Sequence, residues 1–527
     1  MGIKPLAIIG IVGAGTMGSG IALVALNAGC EVYLQDALPH MLDKAEDYIK
    51  TFLGKRGQSE RFSKLHLVSK LEELAPARVV IEAVPEQLAL KQDLFRKLDS
   101  ICPPPAILAT NTSTLSVTAL AAATKQPERV AGMHFFNPAP VLPLVEVVRA
   151  AQTSQPTLDA LVELTQALGK TAVVTGDTPG FIVNRVARPF YGEAMRLLGE
   201  GVADHPTIDR IVEQGGDFRM GPFRLMDLIG IDVNAAAMRS MYEQTYGEPR
   251  YRPHWIQMQK AAEGALGRKT GRGFYEYKGE GGATKADLKE ELKAGGGSGR
   301  VLISEGTWAP GLAELCQQAG YEIDSVPDPD AAPAACIVAA GRQEEAARLI
   351  AWYDQSLPPE VPLLIQCADI SLSEAAAWVQ HPERLVGFDG LFFVEGSAAT
   401  LVDSGRLETG VKMGVEASIG HLGKQPIWIQ DSPALVLPRI VCQLTNEAAF
   451  AELEGVADGA TIDLAMRLGV NYPKGPLEWG RAIGFGKVLV VLDHLFDEYR
   501  EERYKACVLL RQWARQANWA STKSNRP

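Results

Sequence analysis

His134 is followed 12 residues later by Glu146, an acid set inside the apolar run Leu144-Val145-Glu146-Val147-Val148. A carboxylate among aliphatic side chains needs a compensating partner, and an imidazole is a natural one. Because an imidazole titrates near neutrality, it can take the proton of a hydroxyl as hydride leaves the adjoining carbon. A buried carboxylate would fix its tautomer and stabilise its charged form. The chemistry such a pair suits is alcohol oxidation. On spacing alone, a core histidine that satisfies backbone groups accounts for His134 equally well. Glu86 and the run Asn111-Thr112-Ser113 add further polar groups to the same stretch.

Bringing these residues together requires a sheet. Val79 to Val84, Ile107 to Ala109 and Val130 to His134 read as buried strands separated by helical stretches, the alternation of a parallel sheet. Glu86, Ser113 and His134 then fall at the C-terminal edge, where such sheets bind ligands. Upstream, a strand from Leu6 to Val12 runs into Gly13-Ala14-Gly15-Thr16-Met17-Gly18, a helix from Ile21 to Ala28 and a second strand, Glu31 to Leu34. Gly13 permits the tight turn, Gly15 lets the backbone approach a pyrophosphate, and Gly18 lets the helix pack on its strand. The helix N-terminus offers free N–H groups and partial positive charge to the phosphates. Asp36, 18 residues beyond Gly18, ends the second strand and is placed to accept from both ribose hydroxyls. A carboxylate there repels a 2′-phosphate and no Arg follows directly, which favours NAD over NADP. Folds that bind FAD begin in the same way, so the hydride acceptor rests on further motifs.

Those motifs are long. The run His134-Phe135-Phe136-Asn137-Pro138-Ala139-Pro140 through Val148 resembles the active-site segment of the 3-hydroxyacyl-CoA dehydrogenase family. Asp177-Thr178-Pro179-Gly180-Phe181-Ile182-Val183-Asn184-Arg185 resembles that family's signature at the junction of its two domains. Asn111-Thr112-Ser113 and Val80-Ile81-Glu82-Ala83-Val84 match as well, and the pattern continues to Tyr277. The resemblance implies oxidation of a (3S)-hydroxyacyl-CoA to the 3-ketoacyl-CoA with hydride passing to NAD. It implies His134 as the base, Glu146 as its carboxylate partner, and Ser113 and Asn184 as groups that position substrate and imidazole. Glu86, Lys91 and Lys269 are implied to contact NAD, and no metal is expected. Pro143 departs from the family, whose members often carry Lys there, and the family's contacts to CoA do not align cleanly around Lys50, Lys55 and Arg56.

The second half repeats the first. Leu168-Gly169-Lys170, Glu200-Gly201-Val202-Ala203-Asp204 and Gly221-Pro222 recur as Leu422-Gly423-Lys424, Glu454-Gly455-Val456-Ala457-Asp458 and Gly475-Pro476, each 254 residues later. The sheet segment repeats more faintly. Gly15-Thr16 corresponds to Gly306-Thr307 at a shift of 291, and Val79-Val80-Ile81 to Cys336-Ile337-Val338 at 257. On that alignment Gly13, Gly18 and Asp36 become Ser304, Ala309 and Pro327. Ser113 becomes Ile370, Asn184 becomes Pro438, and His134 becomes Asp389 or Leu391. Glu146 alone keeps an acid, Asp403. The expected fold class is α/β, a Rossmann-type doubly wound parallel sheet followed by an all-α domain, with the pair repeated as a degenerate second copy. The expected boundaries are 1–185 for the NAD-binding domain and 186–278 for the first helical domain. A 279–299 linker rich in Gly, Lys and Glu leads to a degenerate sheet domain at 300–415, a second helical domain at 416–515 and a 516–527 tail. The helical copies are expected to pack on each other, giving a monomer with an internal pseudo-dimer or a low-order homo-oligomer. The doubled layout resembles long bacterial members of the family, which points to 3-hydroxyadipyl-CoA of aerobic phenylacetate breakdown as substrate. 3-Hydroxybutyryl-CoA or a fatty-acid β-oxidation substrate is the alternative, and a non-catalytic lens-crystallin-like role a weaker one.

Composition agrees with a soluble, cytoplasmic protein. The 527 residues are 46% hydrophobic and 22% charged, and the net charge of −11 disfavours nucleic acid, whose phosphates call for clustered Lys and Arg. No apolar stretch reaches the roughly 18 residues a membrane span requires. The seven scattered cysteines lack C-x-x-C spacing and read as reduced thiols. If Asp36 faces the ribose, Asp36→Arg weakens NAD binding and improves relative use of NADP; an unchanged ratio of kcat/KM for the two cofactors would remove Asp36 from that role.

Overall fold

Short runs of Val, Ile and Leu bounded by Gly, Pro and polar residues become the strands of two sheets. The computed structural model describes residues 8–277, 293–304, 308–341 and 343–524. Leu6 and Ala7, residues 279–292 of the linker, Gly306-Thr307 and the tail beyond 524 lie outside the described residues. The chain divides into two units, Met1–Val186 with Phe450–Gly475, and Ala187–Ala449 with Pro476–Pro527.

The first unit holds β1 (Ile8–Val12), β2 (Glu31–Gln35), β3 (Leu65–Val68), β4 (Val79–Glu82), β5 (Ile107–Thr110), β6 (Val130–Phe135), β7 (Leu144–Arg149) and β8 (Thr171–Gly176). Their order in the sheet is β3-β2-β1-β4-β5-β6-β7-β8. The direction of winding reverses between β1 and β4, and that switch point opens a crevice at the strands' C-terminal ends. The sheet departs from the expected parallel pattern at one place, where β6 and β7 run antiparallel. Only residues 136–143 separate these strands, too few for the crossover a parallel pair needs. This reversal sets His134 directly opposite Glu146. The first helix runs from Thr16 to Asn27, starting at the glycine loop itself and not at Ile21 as expected.

A helix from the second copy, Gly459–Gly469, completes this unit. It packs on β7, and a β-carbon on Gly469 would come within 2.9 Å of Leu144 and 3.0 Å of Val183. The Gly176 N–H donates to Val456 C=O at 3.0 Å, joining β8 to the turn before that helix.

The second unit contains the other sheet, formed by β9 (Arg300–Ile303), β10 (Glu322–Asp324), β11 (Ala335–Val338), β12 (Leu363–Gln366), β13 (Leu385–Phe388), β14 (Ala398–Asp403) and β15 (Gln425–Ile429). Its order, β10-β9-β11-β12-β13-β14-β15, repeats that of the first, with no counterpart of β3 among the described residues. The mirror contact is present too. The Gln430 N–H donates to Val202 C=O at 2.9 Å, both partners shifted by 254 from Gly176 and Val456, and the helix His205–Gly215 packs on β14. Each unit thus joins the sheet of one copy to a helix of the other. Within the second unit the helices Arg188–Gly199 and Leu437–Leu453, one from each copy, meet as expected of the helical repeats. The fully buried Arg439 of the latter bonds Glu193 at 2.8 Å and Glu200 at 2.8 and 3.0 Å, with Tyr499 and Tyr504 filling its remaining donor directions.

Strand register corrects two positions in the copy-to-copy alignment. Phe388 pairs with Leu401, which sets Asp389 opposite Thr400 as His134 is opposite Glu146. The counterpart of Glu146 is therefore Thr400, and Asp403 answers to Arg149. Ser116 and Ser371 both cap short helices whose first N–H groups also donate to Asp177 and Asp431 respectively. That equivalence puts Ala368, not Ile370, at the position of Ser113. Asp389, the histidine's counterpart, accepts from the N–H groups of Leu391 and Phe392, and burial pushes its carboxyl up to about 7.

The second copy's switch point is closed. Its helix begins only at Leu312 and spans seven residues against twelve in the first copy, and Pro327 replaces the ribose acid. Trp308 is buried against the chain leaving β11, so close to Gly341 that a β-carbon there would overlap the indole nitrogen. Calorimetric titration of the full chain should saturate at one NADH per chain; saturation at two would mean that the second sheet still binds dinucleotide.

Candidate active site

The glycine loop is shaped by backbone crowding. A β-carbon on Gly18 would lie 1.7 Å from the carbonyl of Gly13, and one on Gly13, whose φ is 102°, would lie 2.6 Å from the carbonyl of Ala83. Gly18 therefore admits the turn itself more than the strand, which lies farther off at Ile11. Among the described residues, apart from its two chain neighbours, nothing lies within 4 Å of the place a Gly15 β-carbon would take, which leaves the start of the helix Thr16–Asn27 approachable. Asp36, half-buried at the end of β2, accepts from the Ala14 N–H at 2.8 Å and the Leu38 N–H at 2.9 Å. An open backbone at a helix N-terminus with a carboxylate beside it fits a dinucleotide.

Under the loop that follows β4 lies a buried charge network absent from the sequence reading. Glu82 has no exposure, and Lys91 is 1% exposed. The Lys91 ammonium reaches both Glu82 oxygens, at 2.9 and 3.1 Å, and Glu86 at 2.8 Å. These three contacts use all three of its protons, so Lys91 acts on Glu86 from beneath. Thr110 Oγ1 and the Val84 N–H complete the shell of Glu82. Glu86 accepts in turn from the hydroxyls of Thr112 and Thr114 and from the N–H groups of Ser113 and Thr114. Burial opposes ionisation of Glu86, but Lys91 and the donors of Thr112 and Ser113 outweigh it and hold its pKa below the usual carboxylate range. The acid that the sequence placed at a strand end is thus the staple that shapes the Ser113 loop.

Ser113 Oγ lies 3.0 Å from His134 Nε2, and His134 Nδ1 lies 2.7 Å from Glu146 Oε2. The acid opposite Nδ1 places the ring proton there and turns the Nε2 lone pair toward Ser113. Glu146 has no exposure; its Oε1 accepts from the N–H groups of Ile182 and Val183, at 3.1 and 3.0 Å. Those donors open the helical segment Val183–Val186, which carries Asn184, so Asn184 is carried by the segment that satisfies Glu146. The chain reaches them through Gly180 and Phe181, at φ of 77° and 49°. Phe136 and Phe181 flank the imidazole, with ring centroids 4.6 and 5.7 Å away.

Two further residues hold the arrangement. Asn111 Oδ1 accepts from the Phe135 N–H at 2.8 Å, locking the end of β5 to that of β6. Asp177 accepts from Ser116 Oγ and from the N–H groups of Val117 and Thr118, binding the junction segment to the Ser113 side. Both lie inside family-like motifs, Asn111-Thr112-Ser113 and Asp177 to Arg185, where an Asn or Asp ahead of a helix or strand end is the available signal. Lys269 belongs to the second unit, where its ammonium pairs with Asp232 at 2.6 Å.

Removing Lys91 leaves the Glu82 carboxylate buried and unpaired. Lys91→Met should therefore lower stability by about 3–5 kcal/mol, read by urea denaturation. A loss below about 1 kcal/mol would show that the network does not carry the loop.

Comparison with known proteins agrees with this geometry. Residues 8–178 match the NAD-binding domain of 3-hydroxyacyl-CoA dehydrogenase, and residues 180–277 and 435–526 both match its C-terminal domain. The chain is 37% identical to the 3-hydroxyadipyl-CoA dehydrogenase of Escherichia coli (strain K12), over 96% of this chain and 97% of that protein. The probable 3-hydroxybutyryl-CoA dehydrogenase of Bacillus subtilis (strain 168) is 42% identical over 51% of this chain and 96% of its own length, as a single-copy relative would be. The crystal structure of 3-hydroxybutyryl-CoA dehydrogenase from Escherichia coli K12 substr. MG1655 superposes with a TM-score of 0.80 at 35% identity, covering 98% of this chain and 99% of that one. Glycine loop, paired His and Glu, and doubled architecture converge: the chain belongs to the 3-hydroxyacyl-CoA dehydrogenase family and is an NAD-dependent dehydrogenase.

Proposed function

We propose that His134 Nε2 takes the 3-hydroxyl proton of a (3S)-hydroxyacyl-CoA, and that the hydrogen-bonded line Ser113–His134–Glu146 carries this reading. NAD, bound at Gly13, Gly15 and Gly18, supplies the hydride acceptor. Asp36 would hold its ribose and Glu86 would face it, with Lys91 acting through Glu86. Lys269, from the second unit, is the remaining candidate for a cofactor contact.

Proton transfer makes the ring an imidazolium, and the fully buried Glu146 stabilises that charge without water to weaken it. Glu146 does not drift, because two backbone N–H groups hold its other oxygen. Ser113 and Asn184 would orient the hydroxyl and, on return, the 3-keto oxygen. The intact line also favours catalysis over a crystallin-like role.

The acyl group we favour is 3-hydroxyadipyl, as in phenylacetate breakdown, because the E. coli relative matching the whole chain carries that name. The solved structure of matching length is titled for 3-hydroxybutyryl-CoA instead. Among the described residues no helix is long and apolar enough to cross a membrane, which is compatible with a cytoplasmic enzyme. We further propose a working monomer whose helical copies serve as each other's partner.

His134→Ala should lower kcat by about 10²–10⁴ while NADH still binds, and Glu146→Gln should lose most activity. Normal turnover in either variant would end the assignment. Across a panel of 3-hydroxyacyl-CoA esters, kcat/KM should be highest for hydroxyadipyl; a preference for hydroxybutyryl or longer chains would reassign the substrate and leave the chemistry in place.

A further inference from the structure

We propose that Glu374, His494 and Glu498, all in the second unit, form a binding site for one divalent transition-metal ion of the zinc class. One donor atom from each residue lies within 4.8 Å of the other two. Tetrahedral ligands with bonds of about 2.0–2.1 Å stand about 3.3 Å apart, so small side-chain rotations close the set around an ion. His494 and Glu498 lie four residues apart on the helix Phe485–Tyr499 and so share one face, while Glu374 comes from the helix Leu372–Ala375 of the sheet domain.

A cluster of acids alone would say little. The telling group is His494. It is 7% exposed, yet its Nε2 has no hydrogen-bond partner. A buried ring nitrogen left unpaired carries a desolvation cost that a ligand would remove. The charged groups acting on the ring are Glu498, Glu374, Asp497 and Asp431, all acids, so the field at the site attracts a cation. An imidazole with two carboxylates selects a borderline ion such as Zn²⁺ over Ca²⁺ or Mg²⁺, which prefer oxygen alone. Glu498 is exposed and gives the ion a route in, and three protein ligands leave a position for water.

The other copy serves as an internal control. At the shift of 254 the same helix positions carry Ser240 and Gln244, and at the shift of 255 that relates Ser116 to Ser371, Glu374 answers to Ala119. Gln244 Nε2 donates to Ser240 Oγ at 2.8 Å, a neutral pair. The copy without dinucleotide chemistry has therefore exchanged a neutral pair for three metal-binding side chains. An ion there would clip the second sheet domain to the last helical domain.

The test uses the full chain, stripped with chelator and dialysed. Calorimetry with Zn²⁺ should give one ion per chain, and Co²⁺ should give a visible absorption band typical of a site with a nitrogen ligand. His494→Ala and Glu498→Gln should each weaken binding by about ten-fold or more, and His494→Ala should abolish the Co²⁺ band. Glu498 is exposed, so Glu498→Gln threatens no packing, and turnover on acyl-CoA should not change in that variant. Absence of bound Zn²⁺ in the wild type, or equal affinity in both variants, would overturn the site.

Discussion

A carboxylate sealed from water organises the catalytic unit. Glu146 sits in the middle of β7 with no exposure, and a charge so placed is tolerable only if every oxygen is satisfied. One oxygen takes His134 and the other takes two backbone N–H groups at the start of the Asn184 segment. Much of the local architecture follows. The short antiparallel return from β6 to β7 supplies the imidazole at the right register, and the turn through Gly180 and Phe181 delivers the backbone donors. The helix Gly459–Gly469 then presses on Leu144, in the strand that carries the carboxylate, and on Val183, one of its backbone donors. The second copy thus backs the strand that carries the acid.

Much of this was legible in the sequence because it depends on short-range pattern. An acid inside Leu-Val-Glu-Val-Val announces a buried charge wherever the strand lies, and a glycine loop between two strands has few other uses. The antiparallel step between β6 and β7 was hidden, since a sequence read as strand, helix, strand does not show which neighbour reverses. The Glu82–Lys91–Glu86 network was hidden for another reason. Lys91 lies on a helix where Asp93, Arg96 and Lys97 are exposed, and nothing in its immediate neighbours marks it as turned inward. In the second copy the sequence placed Asp403 at the wrong offset. Register, which only hydrogen bonding between strands defines, put Thr400 there.

The two copies have diverged unequally. Contacts that hold sheet to helix are kept in both, down to the matching bonds Gly176–Val456 and Gln430–Val202 and the Asp177 and Asp431 caps. Groups that face a ligand are kept in one. Loss at the second switch point went beyond removal of glycines: the helix was shortened and an indole moved in, so restoring the loop sequence alone would not reopen it. A fused pair relaxes the demand for two working sites while keeping the demand for two sheets.

The exchange of helices between copies also sets a timetable for synthesis. Thr175, at the end of the catalytic sheet, bonds Val456, which lies 281 residues farther along the chain. At about 5–20 residues per second, a ribosome needs roughly 14–56 s to make that stretch. During that interval the first sheet has left the ribosome with the β7 face uncovered and the support of Glu146 incomplete. The cover of that face is therefore completed only late in translation.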